Sequence, residues 1–250
     1  MANWSDPQFG TAPSSTTTAT GVAVDAGLRA YMLSVYNYMT SAILLTGIVS
    51  VLIGNTDAVY SLITISMDGR LTPTVLGWIV TFAPLGIVLW MSFGINRISA
   101  GLAQFLFWTF AVLMGASLST IFLAYTDGSI ALTFFATAAA FASLSLYGYT
   151  TKRDLSGMGT FLLMGLVGLI VASIVNLFWM NDTFSLVIAA IGVLVFAGLT
   201  AYDTQKIKSL YFQVAGSDIA GKAAIMGALT LYLDFINMFL FLLRFLGNRE

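Results

Sequence analysis

Apolar residues run along this chain in unbroken blocks, with neither the alternation of a half-buried strand nor the one-sided stripe of a water-facing helix. Seven blocks recur: Tyr31–Ile53, Val75–Ile95, Gly101–Tyr125, Ile130–Tyr149, Gly159–Met180, Phe184–Tyr202 and Ala223–Leu246. A helix rises about 1.5 Å per residue, so roughly 20 residues cross a hydrocarbon core of about 30 Å. Each block is of that order, and the pattern predicts an all-α integral membrane protein of seven transmembrane helices. Polar residues collect in the breaks. Asn55 to Asp57 and Asp68 to Arg70 frame a longer first loop whose apolar middle, Ala58–Ser66, is expected at the membrane interface. Thr126-Asp127-Gly128 and Asn181-Asp182 read as tight turns, and Lys152-Arg153-Asp154 and Lys206 to Lys222 mark two further breaks. Residues 1–28, rich in Ser, Thr, Ala and Gly, read as a disordered tail ahead of a transmembrane domain over 29–250. No basic segment precedes a short apolar run, so no cleavable signal peptide is expected.

Composition turns this pattern into a list of exclusions. Of 250 residues 58% are hydrophobic and only 8% charged, whereas a soluble domain carries about a quarter charged residues. The bilayer is therefore the solvent for most of the surface. Histidine and cysteine are absent, which removes imidazole and thiolate metal sites, Ser-His hydrolysis and cysteine nucleophiles. A net charge of −1 offers nucleic acid no basic footprint. The single glutamate is Glu250, so aspartate is the carboxylate that could act inside the membrane. Basic residues set the orientation. With a cytoplasmic N-terminus the inner segments hold Arg29, Arg97, Lys152, Arg153, Lys206, Lys208 and Lys222, and the outer ones hold Arg70, Arg244 and Arg249. The bias predicts N-in and C-out.

Asp234 is the most informative residue. It lies near the middle of the last block, where an aspartate costs about 2.5–3.5 kcal/mol to insert. At about 100° per residue, Thr230, Asp234, Asn237 and Arg244 fall within roughly 80° of one face. Such a stripe should face protein or a wet cavity, which places helix 7 centrally with Thr230, Asn237 and Arg244 lining or supporting a functional interior. The alternative is a structural aspartate that locks helix packing. Asp203, at the end of the sixth block, reads on its own as a solvated boundary residue beside Lys206 and Lys208. Those lysines can snorkel, however, and move the boundary outward by a turn. Consecutive antiparallel helices could then bring Asp203 to Asp234, provided that helix 7 starts a turn or two outside the hydrocarbon. Two such carboxylates would resist full ionisation and share a proton. Loss of that proton would repel them or recruit a cation, and with Asn237 and carbonyls they could form a weak transit site for Ca²⁺. Arg97 reads as a positive-inside anchor that could also pair with Asp203. The other loop aspartates look like turn residues, the aromatics like packing or lipid contacts, and Gly115, Ser117 and Gly165 like points of close helix approach.

Tyr202-Asp203-Thr204-Gln205 on helix 6, and Leu231 to Phe239 followed by Leu242-Leu243-Arg244-Phe245 on helix 7, resemble the Bax inhibitor-1 family over residues 30–247. The resemblance implies seven helices with helix 7 surrounded by the other six. It also implies a pH-sensitive calcium leak, with Asp203 and Asp234 as the di-aspartyl sensor, Arg97 as a latch, no resident cofactor, and Ca²⁺ as the transported species. Where family members can carry a basic cluster, this chain has Arg97 alone. The expected site is a bacterial plasma membrane.

Two other classes fit part of the pattern. Aspartates on adjacent spans are what an intramembrane aspartyl protease needs, but residues 231–234 read Leu-Tyr-Leu-Asp, without the Gly-x-Gly-Asp pattern of presenilin-like enzymes. Their Pro-Ala-Leu motif is missing too, since all four prolines lie at or before residue 84. A non-transporting membrane regulator that acts through protein partners would show the same sequence.

Overall fold

The structure, a computed structural model, describes residues 15–57, 64–67, 70–95 and 97–248. Each predicted block is a helix: α1 (Ser15–Gly54), α2 (Val75–Gly94), α3 (Ala100–Leu118), α4 (Asp127–Thr150), α5 (Ser156–Trp179), α6 (Asp182–Val214) and α7 (Ala220–Leu246). All seven are long and apolar enough to cross a membrane. A short 3₁₀ turn, Ser119–Leu123, extends α3. The residues that break the hydropathy are the ones that start the helices. Thr74 Oγ1 accepts the Gly77 N–H, Ser99 Oγ that of Leu102, Thr126 Oγ1 that of Ser129 and Asn181 Oδ1 that of Phe184. Each satisfies a donor the helix cannot pair internally.

Three boundaries differ from expectation. Of the predicted tail, 1–14 lie outside the described residues, and 15–28 are already the first turns of α1. Of the interfacial stretch Ala58–Ser66, residues 58–63 also lie outside, while Thr64 opens a small antiparallel hairpin. In it, β1 (Thr64–Met67) pairs with β2 (Arg70–Pro73), from Thr64 opposite Pro73 to Met67 opposite Arg70. Most consequentially, α6 does not stop at Tyr202 but continues to Val214.

Alternation of the chain across the membrane sends the basic connections to one end, and contacts tie them together. Lys222 Nζ donates to the carbonyls of Ile95 (3.2 Å) and Ile98 (3.3 Å), joining the start of α7 to the α2–α3 turn. Lys208 Nζ donates to the Tyr149 carbonyl (2.7 Å), and Gln205 bonds Arg153 O and Leu155 N (2.8 Å each). At the opposite end Asn248 folds against the start of α4, its carbonyl accepting the Thr126 N–H and its N–H donating to Ser129 Oγ.

Of the seven helices α7 is the most buried: 61% of its apolar stretch is enclosed, against 17% for α2 and for α5. It packs chiefly against α1, α3, α4 and α6, whereas α2 rests on α3 and α5 on α6. The expected ring of six around α7 is thus a ring of four close neighbours with two outer helices. Small residues set the closest approaches. The missing side chain of Gly148 lets α4 meet the backbone of α6 at Ala201, and Gly115 similarly admits the α1 backbone at Thr46.

Candidate functional site

The extension of α6 resolves the depth mismatch. Asp203 stands eleven residues before Val214, and Asp234 fourteen after Ala220. At 1.5 Å per residue both lie roughly 17–21 Å from the α6–α7 turn. The two helices pack side by side, and the carboxyl groups of Asp203 and Asp234 meet at hydrogen-bonding range. Both residues are buried, with 9% and 4% of their surface exposed. Oδ2 of Asp234 is enclosed with no hydrogen-bond partner among the described residues. An unpaired carboxylate oxygen away from water is costly, which makes a proton shared with the neighbouring Asp203 carboxyl the available compensation.

The pair lines a cavity of ≈ 680 Å³ between α5, α6 and α7. Its α5 wall is apolar, with Leu163, Leu166 and Ile170, while α7 contributes Thr230, Asp234 and Asn237. Thr230 Oγ1 donates to Met226 O and Asn237 Nδ2 to Leu233 O. The Thr230 hydroxyl proton and one of the two Asn237 amide N–H groups are spent on their own helix, which leaves the oxygens as acceptors for the cavity. The pocket therefore offers oxygens from two carboxyls, a hydroxyl and an amide. Ca²⁺ takes six to eight oxygens, so these four groups would hold it only with several waters retained. Among the described residues no group of three or more acidic side chains comes together to hold a metal tightly.

Of the expected residues, the structure brings together Asp203, Asp234, Thr230 and Asn237, and leaves out Arg97 and Arg244. Arg97 is exposed on the α2–α3 turn. The cation acting on the Asp203 carboxyl is Lys206, one turn further along α6, which also lines the cavity and sits 5.8 Å over the Tyr202 ring. The expected Arg97–Asp203 ion pair is therefore not formed in this conformation. The i, i+3 spacing of Asp203 and Lys206 was the signal for this nearby charge. Arg244 continues the α7 stripe but opens into a separate notch of ≈ 320 Å³ with Ser173, Asn176 and Ser185. Lys222, taken in the sequence only as an orientation marker, grips the turn that carries Arg97. Behind the aspartates, Tyr232 is fully buried. Its hydroxyl bonds Thr46 Oγ1 at 2.8 Å, Thr46 donates on to Ala111 O, and the Phe110 ring meets it edge-on at 5.0 Å.

Comparison with known proteins covers the helical body from residue 28 onward. The family model described as Inhibitor of apoptosis-promoting Bax1 matches residues 28–250. An uncharacterized protein of Rickettsia prowazekii is 50% identical over 94% of this chain and 96% of its own length. An uncharacterized protein of Caulobacter vibrioides is 46% identical over 92% of this chain and 93% of its own. The Escherichia coli inner membrane protein YbhL is 47% identical over 90% and 94%.

Proposed function

The chain belongs to the Bax inhibitor-1 family of membrane proteins, and from that premise we propose that it is a pH-sensitive calcium leak gated by the Asp203–Asp234 pair. The observation that carries the reading is the meeting of two buried carboxyls on adjacent helices, at the wall of a cavity, with one oxygen left unpartnered. A bridging proton holds such a pair together. Its loss sets two negative charges against each other in a low dielectric, and the strain is relieved by moving α6 against α7 or by admitting a cation. Both responses couple proton concentration to the state of the cavity. Calcium as cargo comes from family membership, and the oxygen-lined, weakly coordinating cavity suits an ion in passage. The protein is read as non-catalytic and as lying in a bacterial inner membrane with its N-terminus and basic end towards the cytoplasm.

The test is calcium flux into liposomes holding the purified protein with an enclosed calcium indicator. The expected result is a slow flux that changes between acidic and neutral pH, and a flattened response in Asp203→Asn and in Asp234→Asn. A pH profile unchanged in both variants rejects the sensor, and liposomes that pass no calcium at any pH reject the leak. Cleavage of a transmembrane peptide, abolished in the same variants, would replace the channel with a protease.

A further inference from the structure

The polar stripe of α7 is interrupted at one place. Asn237, Phe241 and Arg244 follow one another at i, i+4 and i+7 on the same face. Asn237 and Phe241 line the aspartate cavity, and Arg244 lines the notch nearer the end of α7. The two hollows share Ser173 on α5, so they are successive chambers along one α5–α6–α7 groove. Along α7 Phe241 comes between Asn237 and Arg244, and its ring, on the wall of the aspartate cavity, is stacked on Phe196 of α6 with centroids 5.8 Å apart and planes 26° from parallel. Room for the ring comes from Gly192: a Cβ there would lie 2.6 Å from Phe241 Cγ. Any larger residue at 192 would push the ring out of line. The result is an apolar plug, one ring from each helix, between two chambers that each carry polar and charged groups.

We propose that Phe241, stacked on Phe196 and seated against Gly192, is a hydrophobic gate that separates the aspartate cavity from the Arg244 notch. The path it closes carries hydrated cations, and this rests on the leak function proposed above. Hydrophobic constrictions close pores by excluding water from a short apolar neck. Both rings belong to the helices that carry the aspartates, so a displacement of α6 against α7 that separates the carboxyls also shears the stack.

The absence of cysteine from the chain makes the gate directly testable. With Asn237→Cys in reconstituted protein, a membrane-impermeant thiol reagent should react only from the basic end, because the plug shields the cavity from the other side. Adding Phe241→Ala should make the same cysteine reactive from both ends. Phe196→Ala, which removes the other half of the plug, should do likewise, so the outcome does not hinge on one variant folding. Both alanine variants should also raise calcium flux severalfold at the pH where the unmodified protein leaks least. Reaction from both ends before any ring is removed, or from one end after either is removed, overturns the gate. If labelling changes as expected while no variant passes calcium, the gate stands and the calcium reading falls.

Discussion

The two faces of α7 are built on opposite principles. Towards α1, α3 and α4 it presents Tyr232, Phe235 and Phe239. Phe235 meets Phe134 and Phe141 edge-on, each at 5.6 Å, and Tyr232 meets Phe110 at 5.0 Å. The side chains of α7 on that face are enclosed, Tyr232 0% exposed and Phe235 3%, and the hollows that reach Phe235 and Phe239 between α1 and α4 are lined mainly by apolar groups. Towards α5 and α6 the same helix presents Thr230, Asp234 and Asn237 to a hollow, with a carboxylate oxygen that bonds nothing among the described residues. In a bilayer, helix association gains little from burial as such and depends on close packing and a few hydrogen bonds. The aromatic face is therefore what holds the bundle, and the polar face costs stability that the fold tolerates. A helix held by interlocking rings on one side and lined by polar groups on the other can stay anchored while its partner on the polar side moves.

That contrast should be sharpest between two neighbours in sequence. Phe235→Ala deletes a ring wedged between two others, and aromatic truncations in cores cost about 3–5 kcal/mol. The largest stability loss is expected here, read as a lower unfolding temperature in detergent. Asp234→Asn keeps the volume and removes a buried carboxyl without leaving a cavity, so it should change stability by less than about 1 kcal/mol, while abolishing the pH response of flux. If Asp234→Asn unfolds the protein as Phe235→Ala does, the aspartate is structural and the comparison fails.

Gly148→Ala tests whether the polar side depends on how α6 is seated. The new Cβ would collide with the Ala201 carbonyl, and backbone cannot rotate away as a side chain can. Overpacking of this kind costs about 1–3 kcal/mol. Because Ala201 is two residues before Asp203, the expected signature is a displaced pH profile together with a lower unfolding temperature. A lower temperature with an unaltered profile would show that the position of α6 does not control the pair. Tyr232→Phe should do less. It removes one interhelical hydroxyl bond but leaves Thr46 bonded to Ala111 O, and such bonds are worth about 0.6–1.7 kcal/mol in membranes. The pH response of flux should stay as in the unmodified protein.

Which parts of this were legible beforehand follows from what hydropathy encodes. Seven apolar blocks must be helices because unpaired backbone cannot exist in hydrocarbon. Thr126 and Asn181 were legible as turn residues, and the structure adds that their side chains cap the helices that follow. The end of α6 was not legible. Asp203, Lys206 and Lys208 look like a boundary in composition, yet α6 stays helical through them, with Lys206 over the Tyr202 ring and Lys208 bonded to the Tyr149 carbonyl. Arg97 and Lys222 are both cations at the basic end, and nothing in their sequence surroundings says that Lys222 is the one that docks on the α2–α3 turn. Phe241 was invisible for a different reason. An aromatic in an apolar helix has no signal of its own, and its place becomes evident only when Gly192 and Phe196 are seen beneath it.

A third aspartate at the basic end supplies the control, with the smallest expected effect. Asp154 lies outside the spans, just before α5, fully in solvent. Hydrogen bonds from the Ser156 side chain and backbone N–H, the latter at 2.9 Å to Oδ1, hold its carboxyl below the usual aspartate range. A depressed value in the folded state means that its contribution is present above the ordinary aspartate range and is lost as pH falls through the folded value. Asp154→Asn should therefore lower the unfolding temperature slightly at neutral pH and not at all in strong acid, since there the native carboxyl is already protonated. The flux profile between acidic and neutral pH should be untouched, because a solvated carboxyl that titrates below that window cannot shape it. If Asp154→Asn flattened the flux response as Asp234→Asn is expected to, the pH sensing would belong to the basic end as a whole, and the polar face of α7 would lose its special role.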